Sequence, residues 1–348
     1  MLTVSAPPQL AFLQRSRYSD LTPVTLTVTG PAGTVIDVSW RTAEGEAAPL
    51  SDWQPAAGLA GSRLPPSGTA EITLPIPTGG PFVAAVRDHA APADQAVAAA
   101  PVIAGDIHLW AGQSLGEHMY ASADNRTPPP PPTSRMWTPG ATSWAVPTGS
   151  GANTFLQLLS LMTPGVPHAI QFATFGGRAL TPEAYKAWGE QGPQPGFFLD
   201  PDGALLRRIE DDLRASRNGA AGFDACDIIW DQGQHDTLSY LTPTTGVRAD
   251  TYARAVAEIV ARLRSLIVRP NPFVFIAPIG VTLYNVQGQV PNALEIRHGQ
   301  EQAAKLIPNA RLLPRSSDLE VPDLVHHSAA ANAVRGARFA AAVYVAEY

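Results

Sequence analysis

Cysteine is nearly absent from this chain of 348 residues, in which Cys226 is the single example. One thiol excludes an internal disulfide and any metal site built from several cysteines. Cys226 is followed by the apolar run "DIIW", which favours a buried thiol with a packing role. The fold therefore depends on its hydrophobic core, and a chain of this length can bury a large one.

Blocks of like charge and long apolar runs are also lacking. The formal net charge is −6, and Lys and Arg form no cluster, which argues against nucleic acid or an anionic membrane as the main partner. No segment reaches the roughly 18 consecutive apolar residues that a membrane-spanning helix needs. The first residues, "MLTVSAPPQLAFLQR", lack the basic and apolar regions of a signal peptide. We therefore expect a cytoplasmic protein, or an extracellular or periplasmic one whose export signal has been removed.

The first hundred residues have the pattern of a small all-β domain. Short β-branched segments are separated by turns rich in Gly and Pro; they read "VTLTVTG", "TVIDVSW", "TAEITLPI" and "FVAAVRD". Such spacing predicts a sandwich-like accessory domain over residues 1–100. The segment "APADQAVAAAP" is interpreted as the linker that leaves it.

Residues 101–348 alternate between apolar strand candidates and amphipathic helix candidates. The strand candidates are "DIHLWAG", "HAIQFATFG", "CDIIWDQG", "PFVFIAPIG" and "ARLLPRS". This alternation predicts a three-layer α/β/α domain with a mostly parallel sheet, whose chemistry collects at the carboxyl ends of the strands. A Pro-rich insertion at about 123–148 contains five consecutive prolines, and we expect it either to form a wall of the pocket or to be a plain surface loop.

Two segments far apart in the chain carry the residue types of nucleophilic catalysis. Ser114 follows the first strand of the predicted parallel sheet, and Asp323 and His326 precede the last helix. A carboxylate can accept from one imidazole nitrogen and leave the other to take a proton from a serine. His327 is a competing base, but the Asp-x-x-His spacing favours His326.

Two further strand ends carry Gly and polar residues. In "FATFGGR", Gly176 and Gly177 let backbone amides approach a ligand and stabilise an oxyanion. In "IIWDQGQHD", His235 lies near Asp231 and Asp236, which could suggest a metal site. Two acids and one His on a loop more often hold backbone or solvent, so we expect neither a metal nor another cofactor.

From about residue 104 to its end, the chain resembles the SGNH (GDSL-type) hydrolases. It is most similar to the branch of sialate O-acetylesterases and acetylxylan esterases. The matching blocks are Gly112-Gln113-Ser114, Gly176-Gly177, Trp230-Asp231-Gln232-Gly233-Gln234-His235-Asp236 and Asp323-Leu324-Val325-His326. Leu115 and Gln234 depart from the branch, which usually has Asn and Glu at these positions.

The resemblance implies an active-site arrangement. Ser114 would be the nucleophile, His326 the general base and Asp323 its orienting partner. The backbone amides of Ser114 and Gly177 (or Gly176) and the side chain of Gln232 would form the oxyanion hole. The implied reaction is removal of an O-acetyl or other short O-acyl group from a carbohydrate.

Several other residues are expected near the substrate. Gln113, Gln234 and His235 are interpreted as lining residues, and Trp137 and Trp144 of the Pro-rich insertion as sugar contacts. Trp110 and Trp230 belong to strand runs and are expected in the core. The amino-terminal "QR" is similar to the β-domains that accompany some sialate O-acetylesterases, and we expect it to have a scaffold role.

Two other functions stay open. A carbohydrate O-acetyltransferase would use the same triad and pass the acyl group to a sugar hydroxyl. The departures at Leu115 and Gln234 would also fit a carbohydrate-binding or structural protein with a decayed site.

Overall fold

The computed structural model describes residues 1–6, 11–16, 19, 21–43, 52–124, 127–181, 184, 204–217, 222–237, 247–280, 289–323 and 325–348. Its strands are β1 (Thr3–Ser5), β2 (Ala11–Gln14), β3 (Leu21–Thr29), β4 (Ile36–Thr42), β5 (Gln54–Pro55), β6 (Thr69–Pro77), β7 (Gly79–Asp88), β8 (Gln95–Val97), β9 (Val102–Gly112), β10 (Arg135–Trp137), β11 (His168–Thr174), β12 (Asp227–Asp231), β13 (Phe273–Ile276) and β14 (Ala310–Leu312). Its α-helices are α1 (Ser114–Ala121), α2 (Ser150–Met162), α3 (Ala204–Ala215), α4 (Gln234–Thr237), α5 (Ala249–Leu266), α6 (Gln289–Leu306) and α7 (Ala329–Glu347).

Six strands of the carboxyl-terminal region pair in parallel, in the order β10-β11-β9-β12-β13-β14. Every residue of β9, β11 and β12 is buried, as expected for strands covered on both faces. Their side chains alternate between two hydrophobic clusters. Ile107, Leu109 and Ile228 share a cluster with residues of α3, α5 and α6, whereas Trp110 and Ile229 share one with residues of α1, α2 and α7.

The connected sheet is mixed, so the prediction of a mostly parallel sheet is wrong for the sheet as a whole. The first four residues of β9 pair in parallel with β2, from Ala11 opposite Val102 to Gln14 opposite Gly105. On the other side, β9 pairs with β7, which is antiparallel to it, and β4, β5 and β8 extend the sheet from there. The reason is the length of β9: its eleven residues reach beyond the parallel strands, and the amino-terminal region supplies partners for the excess.

The amino-terminal region also forms a separate three-stranded sheet, β1-β3-β6. Along β3 the side chains alternate between exposed and buried, as in a strand with one face on a core. Its buried residues Val24, Leu26 and Val28 share one hydrophobic cluster with Val38 of β4 and Val102 of β9. Residues of both sheets thus pack around a common core.

The segment predicted as a linker is part of the sheet. It contains β8, which pairs antiparallel with β7. The amino-terminal "QR" likewise contacts the parallel sheet directly. Gln14 and Arg15 both donate to the carboxylate of Asp106 in β9, at 2.9 Å from Gln14 Nε2 and 3.0 Å from Arg15 Nη2. These contacts agree with the scaffold role expected for the two residues.

The Pro-rich insertion contributes β10, an edge strand that pairs with β11. Its two tryptophans lie in the core: Trp137 is 3% exposed and Trp144 is 8% exposed. Their rings contact each other edge to face at 5.6 Å, and Trp144 also packs on Phe12 of β2 at 5.8 Å. The prediction that Trp137 and Trp144 contact a sugar is therefore wrong, because neither ring presents a free face to solvent.

Other core predictions are confirmed. Trp110 and Trp230 are fully buried, and the Cys226 thiol is buried as well. None of the described helices is both long enough and apolar enough to cross a membrane.

Candidate active site

At Gly112, its last residue, strand β9 passes very close to the backbone of the neighbouring strand β12. A Cβ on Gly112 would lie only 2.1 Å from the carbonyl oxygen of Asp231 in β12. The next amide, that of Gln113, donates to the same carbonyl at 3.0 Å. Ser114 then opens helix α1, where a backbone amide has no partner within the helix. The serine is thus partly exposed at the carboxyl edge of the sheet.

Asp323 and His326 are held together directly before α7. His326 Nδ1 lies 2.7 Å from Asp323 Oδ2, and Asp323 Oδ1 accepts from the backbone amides of Val325 and His326. Partial burial opposes ionisation of Asp323, but these hydrogen bonds outweigh it and hold the pKa of the carboxyl below its usual range. Because the hydrogen bond to Asp323 occupies Nδ1, the other ring nitrogen of His326, Nε2, remains available for proton transfer. Leu324, between the two residues, lies outside the described part.

The His326 imidazole packs against helix α1, one turn from Ser114. Its ring stacks on the ring of His118, with centroids 4.0 Å apart and planes 3° from parallel. Ser114 and His118 are four residues apart and so share one face of the helix. Among the hydrogen bonds of the described residues, none joins the Ser114 hydroxyl to His326. Catalytic hydrogen bonds are often long before a substrate is bound.

His327 differs from His326 in every respect that matters for a base. It is 5% exposed, and its Nδ1 contacts the backbone carbonyl of Glu320 at 3.2 Å. Burial and the nearby Arg335 guanidinium lower the pKa of His327 to about 4. The structure thus pairs Asp323 with the histidine that the spacing favours.

The Gly176-Gly177 turn faces α1, and its two amides have different roles. The amide of Gly176 donates to Glu117 Oε1 at 2.7 Å, so it is already engaged by the protein. No described residue accepts from the amide of Gly177, which has a φ of 69°. A glycine tolerates this left-handed conformation at little cost. Of the two glycines, Gly177 is the one that can donate to a substrate oxygen.

Gln232 does not have the geometry of an oxyanion donor. Its Nε2 donates to the carbonyl of Arg178 at 3.1 Å and to Asp236 Oδ2 at 2.6 Å, which uses both of its hydrogens. Its Oε1 accepts from the Tyr252 hydroxyl. The expected contact between the Gln232 side chain and a substrate is therefore absent from this arrangement, because the amide is buried and fully bonded within the protein.

Asp236 holds the same loop from the other side. Its carboxylate accepts from the backbone amides of Leu180 and Thr181 and from the Thr181 hydroxyl. Complete burial raises the pKa of Asp236, and these hydrogen bonds oppose the rise. Together, Gln232 and Asp236 fix the loop that presents Gly177.

The three polar residues expected to line the substrate differ in position. Gln113 and Gln234 are 0% and 5% exposed, so the prediction that they contact substrate is not supported. Gln113 Oε1 lies 3.4 Å from the amide of His235 and so supports that loop. His235 borders the Gly177 turn, and burial together with the Arg178 charge lowers its pKa to about 4.

The carboxylates near His235 accept hydrogen bonds from other groups of the protein. Asp231 accepts from Arg335 Nη2 at 2.6 Å and from Trp110 Nε1 at 3.1 Å, and all three side chains are buried. Asp231 and Asp236 are thus engaged by neighbouring side chains and amides.

The described residues do include one group with the spacing of metal ligands, formed by His108, Cys226 and Asp227. It lies where β12 begins, beside the middle of β9, and its His108 Nδ1 and Asp227 Oδ2 are hydrogen-bonded at 2.7 Å.

Comparison with known proteins gives structural matches only. No protein-family model matches the chain, and no curated protein matches its sequence. A carbohydrate acetylesterase from Xanthomonas citri is similar with a TM-score of 0.61 and 19% identity, over 99% of this chain and 75% of the other.

Two more distant structures also match. A carbohydrate esterase family 2 enzyme with a carbohydrate-binding domain, from Corynascus thermopiles (Myceliophthora fergusii), has a TM-score of 0.43 and 13% identity over 99% of both chains. Axe2, an acetylxylan esterase from Geobacillus stearothermophilus, has a TM-score of 0.42 and 15% identity over 69% of this chain and 94% of the other. The match to the Xanthomonas citri carbohydrate acetylesterase shows that the chain shares the fold of that protein.

Proposed function

We propose that this chain is a serine esterase that removes O-acetyl or other short O-acyl groups from a carbohydrate. The observation that carries the proposal is the Asp323–His326 pair, which lies against the helix that Ser114 opens. The fold supports the same conclusion, because the similar protein from Xanthomonas citri is described as a carbohydrate acetylesterase. Hydroxyl, imidazole and carboxylate form the set that makes a serine nucleophilic.

The reaction proceeds through an acyl-enzyme. Ser114 Oγ attacks the ester carbonyl and its proton passes to His326 Nε2, while Asp323 stabilises the imidazolium. The tetrahedral oxyanion accepts hydrogen bonds from the amides of Ser114 and Gly177. The C–O bond to the sugar then breaks, and His326 returns its proton to the leaving sugar oxygen. Water repeats the sequence on the acyl-enzyme, which releases the acid and free Ser114.

The oxyanion hole in this proposal uses two backbone amides. Gln232 acts behind the site, because its bonds to Arg178 and Asp236 position the loop of Gly177. Removing one oxyanion donor typically costs about 3–4 kcal/mol of transition-state stabilisation, so the placement of this loop matters for the rate.

The test is hydrolysis of 4-nitrophenyl acetate and of a panel of acetylated sugars. We expect Ser114→Ala and His326→Ala to lower kcat by at least about a thousandfold, and Asp323→Asn to lower it by up to about ten-thousandfold. His327→Gln is the matched control and should keep most of the activity. Thermal melting of each variant checks that the fold is retained.

The same assay separates the competing functions. Acetate release that is unaffected by a free sugar indicates hydrolysis, whereas formation of a newly acetylated sugar indicates an acyltransferase. A wild-type protein that hydrolyses no ester, or activity that survives in Ser114→Ala, would contradict the proposal.

A further inference from the structure

We propose that His118 is a positioning residue for the proposed general base: its ring is the platform on which His326 lies flat. This inference rests on the esterase function proposed above. His118 belongs to helix α1 and His326 to the loop before α7, so the stack joins the element of the nucleophile to the element of the base. The rings are nearly parallel with centroids 4.0 Å apart, so their faces are in van der Waals contact.

The platform itself is fixed from two sides. His118 Nδ1 lies 3.1 Å from the Ser122 hydroxyl, one turn further along the helix. Its backbone carbonyl accepts from Asn332 Nδ2 of α7 at 3.3 Å. The amide of Ser150 in turn donates to the backbone carbonyl of Ser122 at 2.8 Å, which anchors the end of α1 to the start of α2. The ring of His118 therefore has little freedom to move away from His326.

The stack supplies a constraint that Asp323 cannot. The side chain of Asp323 is 54% exposed, and its hydrogen bond to Nδ1 fixes one edge of the His326 ring but leaves rotation about that edge open. Contact with the flat face of His118 removes this rotation. Ser114 and His118 are four residues apart in α1, so the stacked pair of rings and the serine share one face of this helix. A base held on that ring is held beside the nucleophile.

The charge state of His118 suits this role. Burial and the neighbouring His326 lower the pKa of His118, so its ring is neutral near pH 7. A neutral ring can stack on the imidazolium that His326 becomes during attack, whereas a second cation would repel it.

The decisive comparison replaces the ring with a flat and a non-flat apolar side chain, His118→Phe and His118→Leu. If stacking positions the base, kcat for 4-nitrophenyl acetate falls about ten- to a hundredfold in His118→Leu and KM changes less than about twofold. The Phe variant should recover to within about threefold of wild type, because it keeps the platform and loses only the bond to Ser122. His298→Leu, on the exposed side of α6, is a matched histidine control.

A second readout follows the nucleophile without turnover. The rate at which a fluorophosphonate labels Ser114 should fall in His118→Leu by the same factor as kcat, and melting should show a retained fold. Full kcat and labelling in His118→Leu would overturn the inference, and so would equal losses in the Leu and Phe variants. Wild-type protein and Ser114→Ala are run alongside: if the wild type itself is inactive, the proposed esterase function fails rather than the role of His118.

Discussion

At the scale of single residues, the site is defined by which hydrogen-bond donors remain unused. Gly176 and Gly177 are adjacent and equivalent in the sequence, yet Glu117 takes the amide of Gly176 and leaves that of Gly177. The sequence motif predicts Gln232 as an oxyanion donor, yet its side-chain amide donates both hydrogens within the protein, to the Arg178 carbonyl and to Asp236. Pattern matching finds the loops, but only three-dimensional neighbours decide the role of each amide.

The bond between Glu117 and Gly176 leads to a prediction about the rate. In Glu117→Ala the amide of Gly176 loses its acceptor and the Gly177 turn loses its restraint, so kcat should fall about tenfold or more while KM changes little. Glu117→Gln keeps an oxygen acceptor and should retain most of the activity. Steady-state kinetics on an acetyl ester check both variants. Equal activity in the Ala variant and the wild type would show that the turn needs no support from Glu117.

The triad candidates could be proposed from the sequence because their signals are local. Ser114 follows a strand directly, and Asp323 and His326 are three residues apart. From the sequence alone, His118 fits an ordinary helix or loop residue equally well and nothing points to Glu117, although a spacing of three and four residues from Ser114 on a helix places both on its face. Their partners, Gly176 and His326, come from distant segments, which no local pattern identifies.

At the scale of elements, helix α7 is tied to the sheet by a buried ion pair. Arg335 donates to Asp231, the last residue of β12, and its Nη1 also contacts the carbonyl of Leu115 in α1. Because the loop with Asp323 and His326 precedes α7, this pair also fixes the helix at which that loop ends. The same guanidinium lies 4.8 Å from the centroid of the Phe339 ring.

Breaking this pair should destabilise the protein strongly. Arg335→Met leaves the Asp231 carboxylate buried without its cation, and we expect a loss of about 3–5 kcal/mol in the free energy of unfolding, measured in urea. The double variant Asp231→Leu with Arg335→Met removes the unpaired charge and should recover much of this loss. A single variant as stable as the wild type would mean that the pair does not hold α7.

Apart from β10 and α4, the order of strands and helices after residue 101 could be predicted from the sequence, whereas part of their pairing could not. Each strand is an apolar run and each helix has an amphipathic period, and these patterns can be recognised within the segment itself. The pairing of β2 with β9 joins residues about ninety positions apart, such as Ala11 and Val102. The burial of Trp137 and Trp144 similarly depends on Phe12 from the amino-terminal region.

At the scale of the whole molecule, three histidines make the fold sensitive to acid: His168 and His327 are buried and His235 is half-buried. Burial lowers the pKa of His168 to about 3 and those of His235 and His327 to about 4; neighbouring positive charge adds to the effect at each. The unfolded chain has ordinary values near 6.5 and binds more protons than the folded one between about pH 4 and 6.5. Stability is therefore lost as the pH falls through this window.

The size of the acid effect can be measured by urea unfolding at pH 7.5 and pH 5. At pH 5 each of the three histidines should cost about 2 kcal/mol relative to neutral pH. His327→Gln removes one of them and should unfold with a shallower dependence on pH than the wild type. A free energy of unfolding that is equal at the two pH values would show that these histidines are not kept neutral by the folded protein.

The amino- and carboxyl-terminal parts of the chain also converge on one buried carboxylate. Arg15 forms an ion pair with Asp106 at 3.0 Å, and the hydroxyl of Tyr348, the last residue, donates to the same group. The paired Arg15 charge and these hydrogen bonds hold the pKa of Asp106 below its usual range despite burial. Residues from both ends of the sequence thus contribute to the same point of β9.

Because β9 serves two groups of strands at once, the accessory region cannot be exchanged as an independent module. A cut near residue 101 would leave Val102–Gly105 without β2 on one side and β7 on the other. Those residues are apolar or glycine, and their unpaired backbone groups could pair with a strand of another molecule. Pairing of this kind at an exposed strand is a common cause of aggregation. Chimeras between proteins of this fold should therefore be joined at points that keep β2, β7 and β9 from a single parent.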